Sequence, residues 1–121
     1  MPKESFLKNR IRSVGYAIIG MILLLRTEAS IKIQFVIAIL MTGAGFYFEI
    51  SKTEWIVQLM AIGMVMGIEG LNTAVEKIAD YVQPENDPKI GFIKDVSAGA
   101  VMIVSLIASI IGLIIYIPKF A

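Results

Sequence analysis

The 121-residue sequence contains no cysteine and no histidine. Without cysteine the chain has no disulfide, no thiol nucleophile and no thiolate metal ligand. Without histidine it has no imidazole metal site and no Ser-His-Asp catalysis, so carboxylates are the remaining acid–base candidates. Charged residues make up only 17% of the chain and the formal net charge is +1. Nothing in this charge balance points to a nucleic-acid partner.

Hydrophobic residues, in contrast, make up 57% of the chain, and the mean hydropathy is +0.79. Both values are far above those of soluble domains. We therefore expect one all-α membrane domain over residues 1–121. The basic N-terminus and the apolar residues 14–25 resemble a signal peptide, but Arg26-Thr27-Glu28 follows in place of a small-residue cleavage site. We expect this segment to be retained.

The pattern predicts an N-terminal amphipathic surface helix and three transmembrane helices. The surface helix covers about residues 4–25, because its twelve apolar residues span only about 18 Å and a hydrocarbon core is about 30 Å thick. Thr27 is the expected N-cap of the next helix. The spans are expected at about 29–48, 54–82 and 96–117, and a short amphipathic lead-in at 90–95 opens the third. Gly63 and Gly67 form a small-xxx-small motif, which we interpret as packing between spans of one chain more than between copies.

The distribution of basic residues predicts the topology. Most of them lie on one side of the predicted spans: Lys3, Lys8, Arg10, Arg12, Arg26, Lys32, Lys77, Lys89 and Lys94. The other side has Lys52 and Lys119. By the positive-inside rule, the N-terminus and the loop between the second and third spans face the cytoplasm, and the C-terminus faces out. The expected location is the inner (cytoplasmic) membrane, as a multi-pass protein.

A row of polar residues interrupts the second span. Glu69, Asn72 and Glu76 are spaced by three and four residues, so they share one helical face. A charged side chain at the bilayer centre costs about 2.5–3.5 kcal/mol on insertion scales, and such residues are usually kept for function. Asp80 continues the spacing, but we interpret it as a solvated helix end.

Further polar residues fall on the same predicted side of the membrane as Glu76. Glu28 lies at the start of the first span, and Lys94 lies just before the third. Glu28 and Glu76 make a poor cage by themselves but suit a Mg²⁺ ion that is shared with a polyphosphate, whose charge Lys94 can neutralise. Glu69 lies about 10 Å deeper and is a candidate general base for an alcohol at lipid depth. Although no Gly-rich phosphate loop is present, this arrangement predicts phosphoryl transfer from a nucleotide to a lipid hydroxyl.

Two segments resemble the paired motifs of the small prokaryotic integral-membrane diacylglycerol kinase family, which includes undecaprenol kinases. They are Glu69-Gly70-Leu71-Asn72-Thr73-Ala74-Val75-Glu76 and Lys94-Asp95-Val96-Ser97-Ala98-Gly99-Ala100-Val101. Thr27-Glu28-Ala29-Ser30 resembles the family's acidic start of the first span, and Tyr16-Ala17 with Gly20 resembles its surface helix. The likeness covers nearly the whole chain.

The resemblance implies an ATP-dependent lipid kinase that works as a homotrimer with active sites shared between neighbours. It implies that Glu69 is the proton acceptor and that Glu28 and Glu76 bind Mg²⁺ together with ATP. Catalytic or nucleotide-contacting roles are implied for Asn72, Lys94, Asp95 and Tyr16. The lipid, diacylglycerol or undecaprenol, is left open, as are the ligand contacts of Arg10 or Arg12 and of the loop at 83–89.

Two other functions fit the sequence less well. A small proton-coupled transporter could use Glu69 as its carrier carboxylate, but such a protein has no need of the polar cluster at one end of the spans. A non-catalytic assembly subunit would have no use for the acidic row at all.

Overall fold

A computed structural model describes residues 5–120, which form four helices and no strand. In chain order these are α1 (Phe6–Thr27), α2 (Ala29–Tyr47), α3 (Lys52–Val82) and α4 (Pro88–Phe120). The predicted start of the first helix at residue 4 lies outside the described residues. Ser5 caps α1 by accepting a hydrogen bond from the backbone N–H of Lys8 at 3.2 Å.

Three of these helices, α2, α3 and α4, are long and apolar enough to cross a membrane. At about 1.5 Å per residue they measure about 28, 46 and 50 Å. Because a hydrocarbon core is about 30 Å thick, α3 and α4 extend beyond it. The prediction of an all-helical fold with three helices able to span a membrane is confirmed for the described residues.

Glu28 separates α1 from α2 as a single extended residue (φ −101°, ψ 117°). The predicted break at this point is confirmed, but the predicted cap is wrong. Thr27 is the last residue of α1, and its hydroxyl donates to the carbonyl of Leu23 at 2.6 Å. A threonine inside a helix can make this bond to the preceding turn, and the hydroxyl is then unavailable as an N-cap for α2.

A Schellman motif ends α2 and sets the tight turn into α3. The N–H of Ile50 donates to the carbonyl of Gly45 at 3.1 Å, and the N–H of Glu49 donates to that of Phe46 at 3.3 Å. Ser51 and Glu54 then form a reciprocal capping box, which satisfies two orphan backbone donors. The box starts α3 at Lys52, two residues before the predicted start of the second span.

The predicted third span lies within α4. Residues 90–95 and 96–117 belong to this one continuous helix, which begins at Pro88. The carboxylate of Asp87 accepts from the backbone N–H of Lys89 at 2.8 Å, and Pro88 takes the first helical position, where its missing N–H costs nothing. At the other end α4 continues past Pro118 to Phe120.

The three long helices are joined at the hairpin end, which we define by the turn at residues 48–51. The hydroxyl of Tyr116 lies 2.6 Å from Oε1 of Gln58, and Nε2 of Gln58 donates to the carbonyl of Met41 at 3.0 Å. Lys119 and Glu54 form an ion pair at 3.2 Å. These contacts connect α4 with α3 and α3 with α2, so the hairpin end positions all three spans.

The middle of the helices is less completely packed. A cavity of about 680 Å³ lies among α2, α3 and α4, lined mostly by apolar side chains. Gln34 also lines it, and its buried Oε1 has no hydrogen-bond partner among the described residues. Gly63 and Gly67 are exposed, and a Cβ added at either would meet nothing within 4 Å. Our interpretation that they pack spans of one chain together is therefore wrong.

Candidate active site

The level of Glu28 along the bundle follows from the contact between α2 and α3. Gln58 of α3 donates to Met41 of α2. Because the two helices are antiparallel, thirteen residues from Met41 back to Glu28 correspond to thirteen residues from Gln58 forward to Leu71. A second contact agrees, since a Cβ on Gly70 would lie 3.1 Å from Cδ1 of Leu24 near the end of α1. Glu28 therefore lies level with the polar row of α3, and α3 extends well beyond it.

The polar row changes from buried to exposed along α3. Glu69 is 7% exposed and Asn72 is 8% exposed. Glu76, one turn further on, is exposed. The same helical face thus offers one buried carboxylate and one exposed carboxylate.

Asn72 connects the two environments. Its Nδ2 donates to Oε1 of Glu76 at 3.3 Å. Its Oδ1 is buried and has no hydrogen-bond partner among residues 5–120. A buried acceptor without a donor costs about 1–3 kcal/mol, so a bound molecule that supplies a donor here would recover that free energy.

Lys94 projects from α4 towards the same end of α3. Its Nζ lies 2.5 Å from Oδ1 of Asp80, and the two side chains are 38% and 57% exposed. Asp95, the next residue of α4, is exposed. Asp80 is thus exposed, as we predicted, but it is also partnered, which the sequence reasoning missed. Two features of the sequence are compatible with an Asp80–Lys94 pair: Asp80 continues the spacing of the row, and the short loop after α3 brings the start of α4 beside it.

Glu28 is half-buried at the junction of α1 and α2, and its side chain makes no capping hydrogen bond. In the described part of the chain, no three acidic residues lie close enough together to hold a metal ion. Mg²⁺ fits such a sparse set of ligands, since it usually takes one or two carboxylates and completes its shell with water and substrate phosphates. Its predicted ligands, Glu28 and Glu76, stay a prediction.

No hydrogen bond or ion pair joins Tyr16 or Arg10 of α1 to these polar residues in the described chain. Tyr16 is 67% exposed, and its side chain makes no hydrogen bond within the described chain. The guanidinium of Arg10 lies 5.5 Å from the ring centroid of Phe6, one turn earlier. Nucleotide contacts of Tyr16, of Arg10 or Arg12, and of the loop at 83–89 stay predictions.

The described chain is all-helical and has three candidate spans. One of these helices carries a buried carboxylate and a buried amide next to exposed charged residues, which is typical of an integral membrane enzyme. The comparisons with known proteins identify the family. Residues 15–116 match the prokaryotic diacylglycerol kinase family. An undecaprenol kinase of Bacillus subtilis is 36% identical over 94 residues, covering 78% of this chain and 76% of the relative. A diacylglycerol kinase of Haemophilus influenzae is 27% identical over 111 residues, covering 92% and 94%.

The chain belongs to the prokaryotic diacylglycerol kinase family. It is a membrane-embedded lipid kinase, and the family predicted from its motifs is confirmed. Membership in a kinase family implies ATP as the phosphoryl donor and a lipid as the acceptor.

Proposed function

We propose that this lipid kinase transfers the γ-phosphoryl group of Mg²⁺-bound ATP to the primary hydroxyl of a membrane lipid alcohol. The observation that carries the proposal is the gradient from buried Glu69 to exposed Glu76 on one face of α3. Such a face can serve a hydroxyl at lipid depth at one end and a water-soluble polyphosphate at the other. A proton-coupled transporter using Glu69 has no support from the family or its relatives.

In the proposed reaction the lipid hydroxyl oxygen forms a bond to the γ-phosphorus. The bond from that phosphorus to the oxygen bridging the β- and γ-phosphates breaks, and ADP leaves. The proton of the hydroxyl goes to the carboxylate of Glu69, which acts as the general base. Asn72 holds Glu76 through its Nδ2, and its unpartnered Oδ1 offers an acceptor to a donor of the bound substrate.

The charged residues at the exposed end are assigned to the polyphosphate. Glu28 and Glu76 would hold Mg²⁺, which neutralises phosphate charge when it is bound. Lys94 lies at the same end as a flexible cation on α4 and would face the phosphates. Asp95 and Tyr16 are proposed to contact the rest of the nucleotide from α4 and α1.

For the lipid we propose undecaprenol, with diacylglycerol as the second candidate. The relative with 36% identity is named an undecaprenol kinase, and the two relatives named diacylglycerol kinases are 27% and 24% identical. Both alcohols present a primary hydroxyl at the level of the lipid headgroups. The specificity therefore depends on how the apolar tail is accommodated.

We further propose that the protein is a homotrimer in the cytoplasmic membrane, with its N-terminus and site in the cytoplasm and its C-terminus outside. The exposed Gly63–Gly67 face and the incompletely filled cavity beside Gln34 leave surfaces for another copy to cover. Amine-reactive crosslinking in membranes should give a ladder that ends at three chains. A ladder that stays at one chain would contradict the trimer.

The reaction itself is tested with [γ-³²P]ATP, Mg²⁺ and the purified protein in lipid nanodiscs that contain undecaprenol or diacylglycerol. We expect a labelled lipid in both and a higher kcat/KM for undecaprenol. Preference for diacylglycerol would reverse the proposed specificity. Absence of a labelled product with both alcohols would refute the proposed reaction.

A further inference from the structure

We propose that Asp80 is a positioning residue for Lys94, holding its ammonium group at the exposed end of the polar row. The inference rests on the proposed function, because Lys94 has a catalytic task only if a polyphosphate binds at that end. Asp80 itself is not proposed to touch the substrate.

The geometry supports this role. Asp80 follows Glu76 by one turn and Glu69 by three, so it extends the row of Glu69, Asn72 and Glu76 along one face of α3. Lys94 starts from the other helix, α4, and its Nζ lies 2.5 Å from Oδ1 of Asp80. The ion pair thus brings a cation from α4 onto the line of carboxylates on α3.

Stability alone does not account for a carboxylate at this position. Asp80 lies in the last turn of α3, which ends at Val82, and a negative charge at a helix C-terminus is disfavoured by the helix dipole. Its partner is 38% exposed and Asp80 itself is 57% exposed. Exposed ion pairs of this kind contribute little to folding, because water and salt screen them.

The ammonium group of Lys94, in contrast, must be held in place to act on a phosphate, and Asp80 can hold it there. A lysine ammonium is a point charge on a flexible stem, and a freely moving cation must be ordered at the moment of reaction. A cation held in place beforehand stabilises the charge of the transferring phosphoryl group without that cost. Asp95 cannot take over, since it is adjacent to Lys94 in α4 and points about 100° away around the helix.

The test compares kcat and KM for ATP of the wild-type protein with those of Asp80→Asn, Asp80→Glu, Lys94→Gln and the double variant Asp80→Asn with Lys94→Gln. We expect Asp80→Asn to lower kcat roughly tenfold and to change KM for ATP much less. Asp80→Glu keeps the charge and should recover most of the loss. In the Lys94→Gln background, Asp80→Asn should have no further effect, because the residue it positions is already gone.

Two controls separate positioning from folding and from general charge effects. Glu49→Gln removes an exposed carboxylate at the hairpin end and should leave kcat and KM unchanged. Thermal unfolding of Asp80→Asn should match the wild-type curve closely. A loss of kcat accompanied by a matching loss of folded protein would assign Asp80 a structural role and overturn the proposal.

The remaining outcomes separate the positioning role of Asp80 from the lipid kinase reaction itself. Wild-type kcat in Asp80→Asn, or an equal loss from Asp80→Asn with and without Lys94, would overturn the positioning role while leaving the lipid kinase reaction intact. Absence of phosphorylated lipid with the wild-type protein would instead refute the proposed reaction on which the inference rests.

Discussion

Nδ2 of Asn72 lies 3.3 Å from Oε1 of Glu76, so a buried amide holds an exposed carboxylate on the same face of α3. One turn away in the other direction lies Glu69, which is buried. The row therefore has one buried end and one exposed end. Substitutions at the two ends should have different consequences, one for the metal and nucleotide and the other for the proton.

At the exposed end, we expect Glu28→Gln to raise the Mg²⁺ concentration needed for half-maximal activity by roughly tenfold or more, because one proposed ligand loses its charge. The side chain of Glu28 makes no capping hydrogen bond, so the junction between α1 and α2 should survive the substitution. The measurement is a Mg²⁺ titration of lipid phosphorylation at saturating ATP. An unchanged Mg²⁺ requirement would remove Glu28 from the metal site.

At the hairpin end, we expect Tyr116→Phe to lower the free energy of unfolding by about 1–3 kcal/mol. The substitution removes the donor to Oε1 of Gln58, a residue only 5% exposed. The measurement is denaturant unfolding in detergent. Tyr47→Phe is the matched control, because Tyr47 is 79% exposed and its change should stay within about 0.5 kcal/mol. Equal stability of the two variants would show that the Tyr116–Gln58 bond does not hold the spans together.

Gly45, in the last turn of α2, packs closely against the ring of Trp55. A Cβ on Gly45 would lie 2.6 Å from Cη2 of Trp55, so Gly45→Ala should destabilise the hairpin by about 1–3 kcal/mol. Trp55 is the chain's single tryptophan, and its fluorescence spectrum should shift as the ring is displaced. Gly43→Ala is the control, since a Cβ there meets nothing within 4 Å and should stabilise the helix by about 0.5–1 kcal/mol. An unshifted spectrum with unchanged stability in Gly45→Ala would contradict this packing.

The sequence predicted the three spans well because long apolar runs and short polar loops dominate this fold. It failed at helix ends, because single side chains determine the residue at which a helix begins or ends. Thr27 bonds back into α1, and Asp87 with Pro88 starts α4 two residues before the predicted lead-in. Periodicity placed Glu69, Asn72 and Glu76 on one face, but it could not show that Lys94 reaches across to Asp80. That pairing depends on the register between two helices, which spacing within one helix does not contain.

The hydrogen bonds at the hairpin end could not be predicted from the sequence either. Gln58 and Tyr116 are 58 residues apart, and each alone is compatible with a membrane helix. They meet because α3 and α4 are antiparallel and nearly equal in length, with 31 and 33 residues. The same register brings Lys94 beside Asp80. One helix–helix alignment therefore sets the contacts at both ends of the bundle.

The proposed reaction requires that buried Glu69 accept the proton of the lipid hydroxyl while the exposed end binds the nucleotide. The variant Glu69→Gln tests this, measured for lipid phosphorylation and for Mg·ATP binding on the same purified protein. We expect kcat to fall by roughly 10²–10⁴-fold, the usual contribution of a general base, and the Kd for Mg·ATP to stay nearly unchanged. Retained phosphorylation, or loss of nucleotide binding together with activity, would contradict this division of roles along α3.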